Sequence, residues 1–178
     1  MLTTETLTLP AGYEWSVTVA VGLPSNGNII LAGIIEDTDL RKEAAILLSF
    51  NSSGVLDTSF GSAGMVTYEA TADSIILHGM EVQGEGILVA LSTQTDAFLQ
   101  AYSQGGVPGI TYDSVQQTLI GIHKMPDGSV YAAGGRSGRS GPGTNATIVH
   151  YGSDGHLVSN FGANGVLLKP MLAATRAR

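Results

Sequence analysis

The sequence contains no cysteine, which excludes disulfide bonds, thiolate zinc ligands and cysteine nucleophiles. Charged residues make up only 13% of the chain, and 8 Lys and Arg against 15 Asp and Glu give a net charge of −7. A chain this acidic lacks the basic surface that drives binding to phosphate backbones, so no nucleic acid partner is expected. No metal site or cofactor is expected either, because the four histidines show no paired metal-ligand spacing.

Long apolar runs are also missing. No stretch approaches the length of a membrane span, and the first residues carry no basic segment ahead of an apolar one. The sequence therefore predicts no membrane insertion and no Sec signal peptide. This pattern is compatible with a cytoplasmic protein or with export by a non-Sec route.

Glycine and apolar residues are abundant instead. The 178 residues include 24 glycines, and 43% of the chain is hydrophobic, which excludes a disordered acidic chain. Glycine together with many Val, Ile, Leu and Thr residues favours short strands joined by tight turns. An all-β domain with one substantial core is therefore predicted.

An internal repeat defines the organisation of this domain. Residues 47–66 align without a gap with residues 148–167, so that Phe60 matches Phe161 at a separation of 101 residues. The same separation relates "SNGNIILAG" at 25–33 to "PDGSVYAAG" at 126–134. A degenerate middle unit around residues 82–114 has a shorter loop and lacks the "DTSFGSAG" turn, which makes the period about 50 residues. The predicted domain covers 1–170 as repeats 10–70, 71–114 and 115–170, followed by a tail at 171–178.

Each repeat reads as four short strands separated by turn residues. In the first repeat these are 16–23, 28–35, 44–50 and 64–70, and Asn26-Gly27 supplies the positive φ of a two-residue hairpin turn. Runs of consecutive apolar residues indicate strands that are covered on both faces. Phe60, in a turn otherwise rich in Gly, Ser and Asp, is predicted to fill the seam against a neighbouring sheet. Residues 4–10 resemble a fourth strand without a repeat of its own. This segment is predicted to complete either the last blade of its own chain or a blade of a partner chain.

The stretch "FNSSGVLDTSFGSAG" at 50–64, with the preceding "GNIILAG", resembles the delta-60 repeat of bacterial proteins. The third repeat matches with "LVSN" in place of "LDTS", and the middle one departs strongly. The resemblance implies β-propeller blades and transfers no catalytic signature, because a propeller scaffold hosts many activities.

Three blades leave an open arc, whereas propellers close with about four to eight blades. A homodimer that forms a six-bladed ring, with the third blade of each chain against the first blade of the other, is the favoured interpretation. A three-sheet, prism-like monomer and a fragment of a larger propeller are the alternatives.

Candidate ligand-binding residues are few. The aromatic residues Trp15, Tyr68 and Tyr112 suit a binding platform, with packing in the seams between blades as the alternative. Arg136 and Arg139 lie in a Gly-rich loop that departs from the phosphate-binding pattern, and they suit an acidic group on a partner. No nucleophile, base and orienting group can be placed together. The sequence thus predicts a non-enzymatic binding or scaffold module with a protein partner, with a carbohydrate-binding lectin carrying repeated sites as the alternative.

Overall fold

A computed structural model of the protein describes residues 7–39, 42–69, 74–84, 86–136 and 145–170, with only the backbone of Arg136 and Pro170. The described residues form strands and no helix, which confirms the all-β class, and none belongs to a helix able to cross a bilayer. The strands are β1 (Tyr13–Gly22), β2 (Ile29–Asp37), β3 (Glu43–Phe50), β4 (Met65–Tyr68), β5 (Ile76–Gln83), β6 (Gly86–Ser92), β7 (Ala97–Ser103), β8 (Pro108–Thr111), β9 (Thr118–Lys124), β10 (Val130–Arg136), β11 (Asn145–Tyr151) and β12 (Val166–Pro170).

These strands form three four-stranded antiparallel sheets, each made of four consecutive strands in chain order. Sheet 1 contains β1 to β4, sheet 2 contains β5 to β8, and sheet 3 contains β9 to β12. The prediction of three four-stranded units is confirmed at the level of three four-stranded sheets. The degenerate middle repeat also forms a complete sheet, because a short turn closed by the Ser103 N–H bond to the Val107 carbonyl, 2.9 Å, replaces its missing turn.

The turn chemistry departs in one detail from the sequence prediction. Gly27 has a φ of +80°, as the Asn-Gly pair requires. However, the connection between β1 and β2 runs from residue 23 to 28 and is longer than a two-residue hairpin loop. Its β-turn is closed by the Gly27 N–H bond to the Pro24 carbonyl, 3.2 Å, and Asn26 Oδ1 accepts the Asn28 N–H at 2.9 Å.

The sheets pack side by side in chain order. We call the face of each sheet that is turned toward the next sheet its front face, and the opposite one its back face. The front face of sheet 1 and the back face of sheet 2 form the first seam, and sheets 2 and 3 form the second seam in the same way. Among the described strands, sheets 1 and 3 share no comparable packing.

Phe60 lies in the first seam and is fully buried, which confirms its predicted place. The first seam also holds Ile30, Ala32, Ile34, Ala45 and Leu47 from sheet 1, and Leu77, Ile87, Val89, Leu91, Phe98 and Tyr102 from sheet 2.

The expectation for the N-terminal segment is not met in the described residues. Leu7 and Leu9 pack on the back face of sheet 1, against the cluster formed by Ile35, Ala44, Ile46 and Leu48, rather than extending sheet 3. Arg139, most of the loop around it and the tail at 171–178 lie outside the described residues.

Candidate binding site at the loop end of the sheets

The connections β2–β3, β6–β7 and β10–β11 lie at one end of the three sheets, which we call the loop end. The sheets are aligned here, because the Ile75 N–H at the start of sheet 2 donates to the Glu43 carbonyl of sheet 1 at 3.0 Å. Trp15 pairs in register with Ile35 close to this end, Tyr68 pairs with Ala45, and Arg136 ends β10 there. Three of the five residues singled out by the sequence therefore share one end of the sheets.

Trp15 lines a cavity of about 300 Å³ together with Glu14, Ser16, Glu36 and Thr38. The indole remains 36% exposed. The ring packs over Gly33, where a Cβ would come within 2.7 Å of it, on the same face of sheet 1 as Ile35, the register partner of Trp15. The carboxylates of Glu14 and Glu36 point to the opposite face, so the cavity offers two carboxylates and two hydroxyls.

A row of three glutamates crosses sheet 1 beside this cavity. Glu14 is the register partner of Glu36, and Glu36 is the register partner of Glu43. Residues directly opposite on antiparallel strands point to the same face, and like charges in such pairs are destabilising, by about 0.2–1 kcal/mol each. This row is the functional feature that the sequence analysis missed. The exact register of β1, β2 and β3 is needed to find it, and the loop lengths alone do not fix that register.

The negative charge at this end also acts on Tyr13. Burial raises the pKa of Tyr13 to about 12, with further contributions from a hydrogen bond to the Glu69 carboxylate and from the charges of Glu69 and Asp37. Tyr13 therefore remains a protonated donor over the whole physiological range. The loop end of sheet 1 has an anionic character that a cationic group would relieve.

Tyr68 and Tyr112 are placed differently from Trp15. The Tyr68 ring is half-buried and lies 5.8 Å from that of Phe98 across the first seam. Tyr112 is only 6% exposed and makes an edge contact of 5.3 Å with Tyr151 in the second seam, and burial raises its pKa. Both rings pack in seams, and Tyr112 offers very little surface to a ligand.

A second, smaller cavity lies at the loop end of the second seam. It has a volume of about 190 Å³ and is bounded by Ser92 to Ala97 of sheet 2 and by Gln116, Gln117 and Thr118 at the start of β9. Gln116 stands 101 residues after Trp15, so the two cavities are equivalent in the repeat. Here, however, the end of the preceding sheet closes one side, and the aromatic ring is replaced by an amide.

His78 adjoins the same region, with Nε2 2.7 Å from Ser92 Oγ, and burial lowers its pKa. Among the described residues, no group of three His, Asp or Glu side chains is arranged to hold a metal ion.

Comparison with known proteins adds little beyond the architecture. No protein-family model matches the sequence, and no curated protein matches it. Among solved structures the chain is similar to one titled "Crystal structure of polysaccharide lyase Uly1", with 17% sequence identity and a TM-score of 0.42. The match covers 82% of this chain and 28% of that chain. A similarity at this level supports no inference about activity.

Proposed function

We propose that this protein is a non-enzymatic binding module, and that the glutamate row at the loop end of sheet 1 docks a basic segment of a protein partner. The observation that carries the proposal is the cross-strand register of Glu14, Glu36 and Glu43, which places three carboxylates in one row, with Glu14 and Glu36 lining one cavity. A Lys or Arg side chain in this cavity meets two carboxylates, each worth about 0.2–1 kcal/mol as an exposed ion pair.

The electrostatics of the glutamate row support this choice of partner. The mutual repulsion of Glu14, Glu36 and Glu43 is present in the free protein and falls when a cation lies between them. Glu14 is solvent-exposed and Glu36 is partly exposed, so the gain per charge is modest and is reduced by salt. The binding is therefore expected to be weak for one cation and to strengthen with two or three suitably spaced ones.

The test uses the only tryptophan of the chain, since Trp15 also lines this cavity. An oligolysine peptide is titrated into the protein at low and high salt, with an oligoglutamate peptide of equal length as the control. We expect a saturable change in emission with the basic peptide only, and weaker binding at high salt. An emission change that is absent, or equal for both peptides, contradicts the proposal.

Variants locate the site within the fold. Binding of a fluorescently labelled oligolysine, followed by anisotropy, should weaken about two- to fivefold in the double variant Glu14→Gln/Glu36→Gln. It should change much less in Trp15→Ala, because the indole lies on the opposite face of sheet 1. Asp154→Asn is the matched control, because it removes one carboxylate from an exposed turn at the opposite end of sheet 3 while keeping the oxygen that accepts the His156 N–H. Equal loss in the control would show that the attraction is only the net charge.

A carbohydrate ligand is the second candidate, because Ser16 and Thr38, whose side chains carry hydroxyls, line the same cavity as Glu14 and Glu36. Sugars stack on aromatic rings and hydrogen-bond to hydroxyls and carboxylates. Since the equivalent position in sheet 3 is Gln116, an indole-based site occurs once per chain rather than in every blade. A glycan panel read through Trp15 emission separates the candidates: salt-insensitive binding of one sugar class favours the lectin.

A further inference from the structure

The front face of sheet 3 is the repeat equivalent of a surface that is buried elsewhere in the chain. Its residues Tyr131, Ala133, Ala146, Ile148 and Phe161 stand 101 residues after Ile30, Ala32, Ala45, Leu47 and Phe60. Those five residues of sheet 1 are buried in the first seam, where sheet 2 covers them. No sheet among the described residues covers this face of sheet 3: Leu47 is 3% exposed, whereas its equivalent Ile148 is 40% exposed.

The side chains on the front face of sheet 3 suit a surface that is exposed to water before it binds a partner, rather than a seam that is always buried. Tyr131 replaces Ile30 and stacks on His150 with ring centroids 4.2 Å apart, and Phe161 meets both rings edge-on at 5.8 and 5.4 Å. His150 in turn replaces the buried Ser49. Tyr and Phe are enriched at protein interfaces, where part of each ring is wet before association. The third repeat has thus kept the apolar shape of a front face and added aromatic residues that tolerate water.

The complementary surface in this fold is the back face of a sheet. Within the part of the chain that the structure describes, the back face of sheet 1 is covered by no other sheet. Its inner part, which includes Trp15 and Val21, is open, with Val21 64% exposed. Its outer part lies under Leu7 and Leu9. Residues 7–10 stand 101 residues before β8, the fourth strand of sheet 2, so they occupy the place of the outer strand of a preceding sheet.

We propose that the front face of sheet 3 docks on the back face of sheet 1 of a second copy of the chain, and that β12 of the docking copy takes the place held by residues 7–10. Two such contacts close a ring of six sheets, within the range found for propellers. The residues 7–10 act as a placeholder, because they cover apolar surface in the single chain and must yield to β12.

The area available is sufficient for a stable dimer. β9, β10 and β11 have seven residues each, and β12 has five. At about 3.3 Å per residue and about 4.8 Å between strands, one sheet face covers roughly 410 Å². Two seams with two faces each bury roughly 1,650 Å², within the range of about 1,200–2,000 Å² for stable interfaces.

Sedimentation velocity of the full chain, from micromolar to submillimolar concentration, tests the proposal. We expect the mass to rise from 18.3 kDa to twice that value. Ile148→Lys should weaken association by at least about 100-fold, because two seams each lose an apolar contact and gain a buried charge. Val55→Lys is the matched control, since Val55 lies in a turn and is 44% exposed, and it should behave as the wild type.

The placeholder is tested by Leu7→Ser/Leu9→Ser, which should tighten association, because β12 of the second copy then displaces fewer apolar contacts. Ala146→Lys, at an exposed position of the same face, provides a second disrupting variant if Ile148→Lys does not fold. A folded wild type and a folded Leu7→Ser/Leu9→Ser variant that both remain at 18.3 kDa overturn the proposal, as does a dimer insensitive to both lysine variants. If the chain self-associates but does not bind oligolysine, the docking proposal stands and the proposed function is wrong. If it binds oligolysine but stays monomeric, the proposed function stands and the docking proposal is wrong.

Discussion

Truncation of two equivalent phenylalanines provides a direct measure of how much a covered seam contributes. Phe60 is fully buried in the first seam, whereas Phe161 occupies the same place in the repeat, half-buried on the uncovered face of sheet 3. Replacing a buried Phe with Ala costs about 3–5 kcal/mol through lost burial and the remaining cavity. We expect Phe60→Ala to lower the free energy of unfolding by this amount.

Phe161→Ala should cost much less. Removing the Phe161 ring loses roughly half of the buried area that removing the Phe60 ring loses. It also loses the edge contacts with Tyr131 and His150. Together these losses lower the free energy of unfolding by about 1–2 kcal/mol. The two variants should therefore differ by about 2–3 kcal/mol, although they remove the same atoms from equivalent positions.

The assay is urea unfolding at low micromolar concentration, followed by circular dichroism and by Trp15 emission, with a common slope for both variants. Equal costs for the two variants would refute the assignment of Phe60 to a covered seam and of Phe161 to an open one. If a second chain covers sheet 3, the cost of Phe161→Ala should also rise with protein concentration, while that of Phe60→Ala should not.

Three further changes have expected outcomes. Thr147→Val should raise the free energy of unfolding by about 1 kcal/mol, because the buried Thr147 hydroxyl finds no hydrogen-bond partner among the described residues; a loss of stability in urea unfolding would contradict this. Gly134→Ala should cost about 1–3 kcal/mol, since its Cβ would collide with the Thr118 carbonyl oxygen, and an unchanged urea midpoint would disprove the collision. The Leu157 N–H donates to the Asp113 carboxylate at 2.9 Å and holds the pKa of that carboxyl below its usual value. The ionised carboxylate therefore adds its full contribution to the free energy of unfolding above the unfolded-state pKa of about 4. That contribution disappears as the pH falls through the lower folded-state pKa. Asp113→Asn should therefore be less stable than the wild type at neutral pH and equal to it in acid; a constant difference across that range would exclude the mechanism.

The repeat predicted the fold well because it carries both the strand pattern and the turn chemistry. The second strand was expected at 28–35 and is observed at Ile29–Asp37; the third was expected at 44–50 and is observed at Glu43–Phe50. β1 begins at Tyr13, three residues earlier than expected, which places Trp15 inside a strand. Alternation in β1 is weak, because its register with β2 shifts twice, between Trp15 and Val17 and between Thr18 and Ala20.

The candidate site was less accessible from the sequence. Aromatic residues signal both ligand platforms and seam packing, and only the contacts with Phe98 and Tyr151 distinguish Tyr68 and Tyr112 from Trp15. The glutamate row depends on the cross-strand register of three strands, which a pattern along one strand does not contain. Leu7 and Leu9 lie on sheet 1 because its back face offers them an apolar surface. The repeat alone predicted two other positions for this segment, in the last sheet of the chain or in a sheet of a partner chain.

Each sheet is built from one uninterrupted stretch of chain, with every strand paired to its neighbours in sequence. During synthesis, sheet 1 contains all four of its strands once residue 68 has left the ribosome, and no later strand has to be inserted between them. The same independence allows a gene to gain or lose one unit without disturbing the strand order of the others. In such a protein the number of blades is a quantity that duplication can change in a single event.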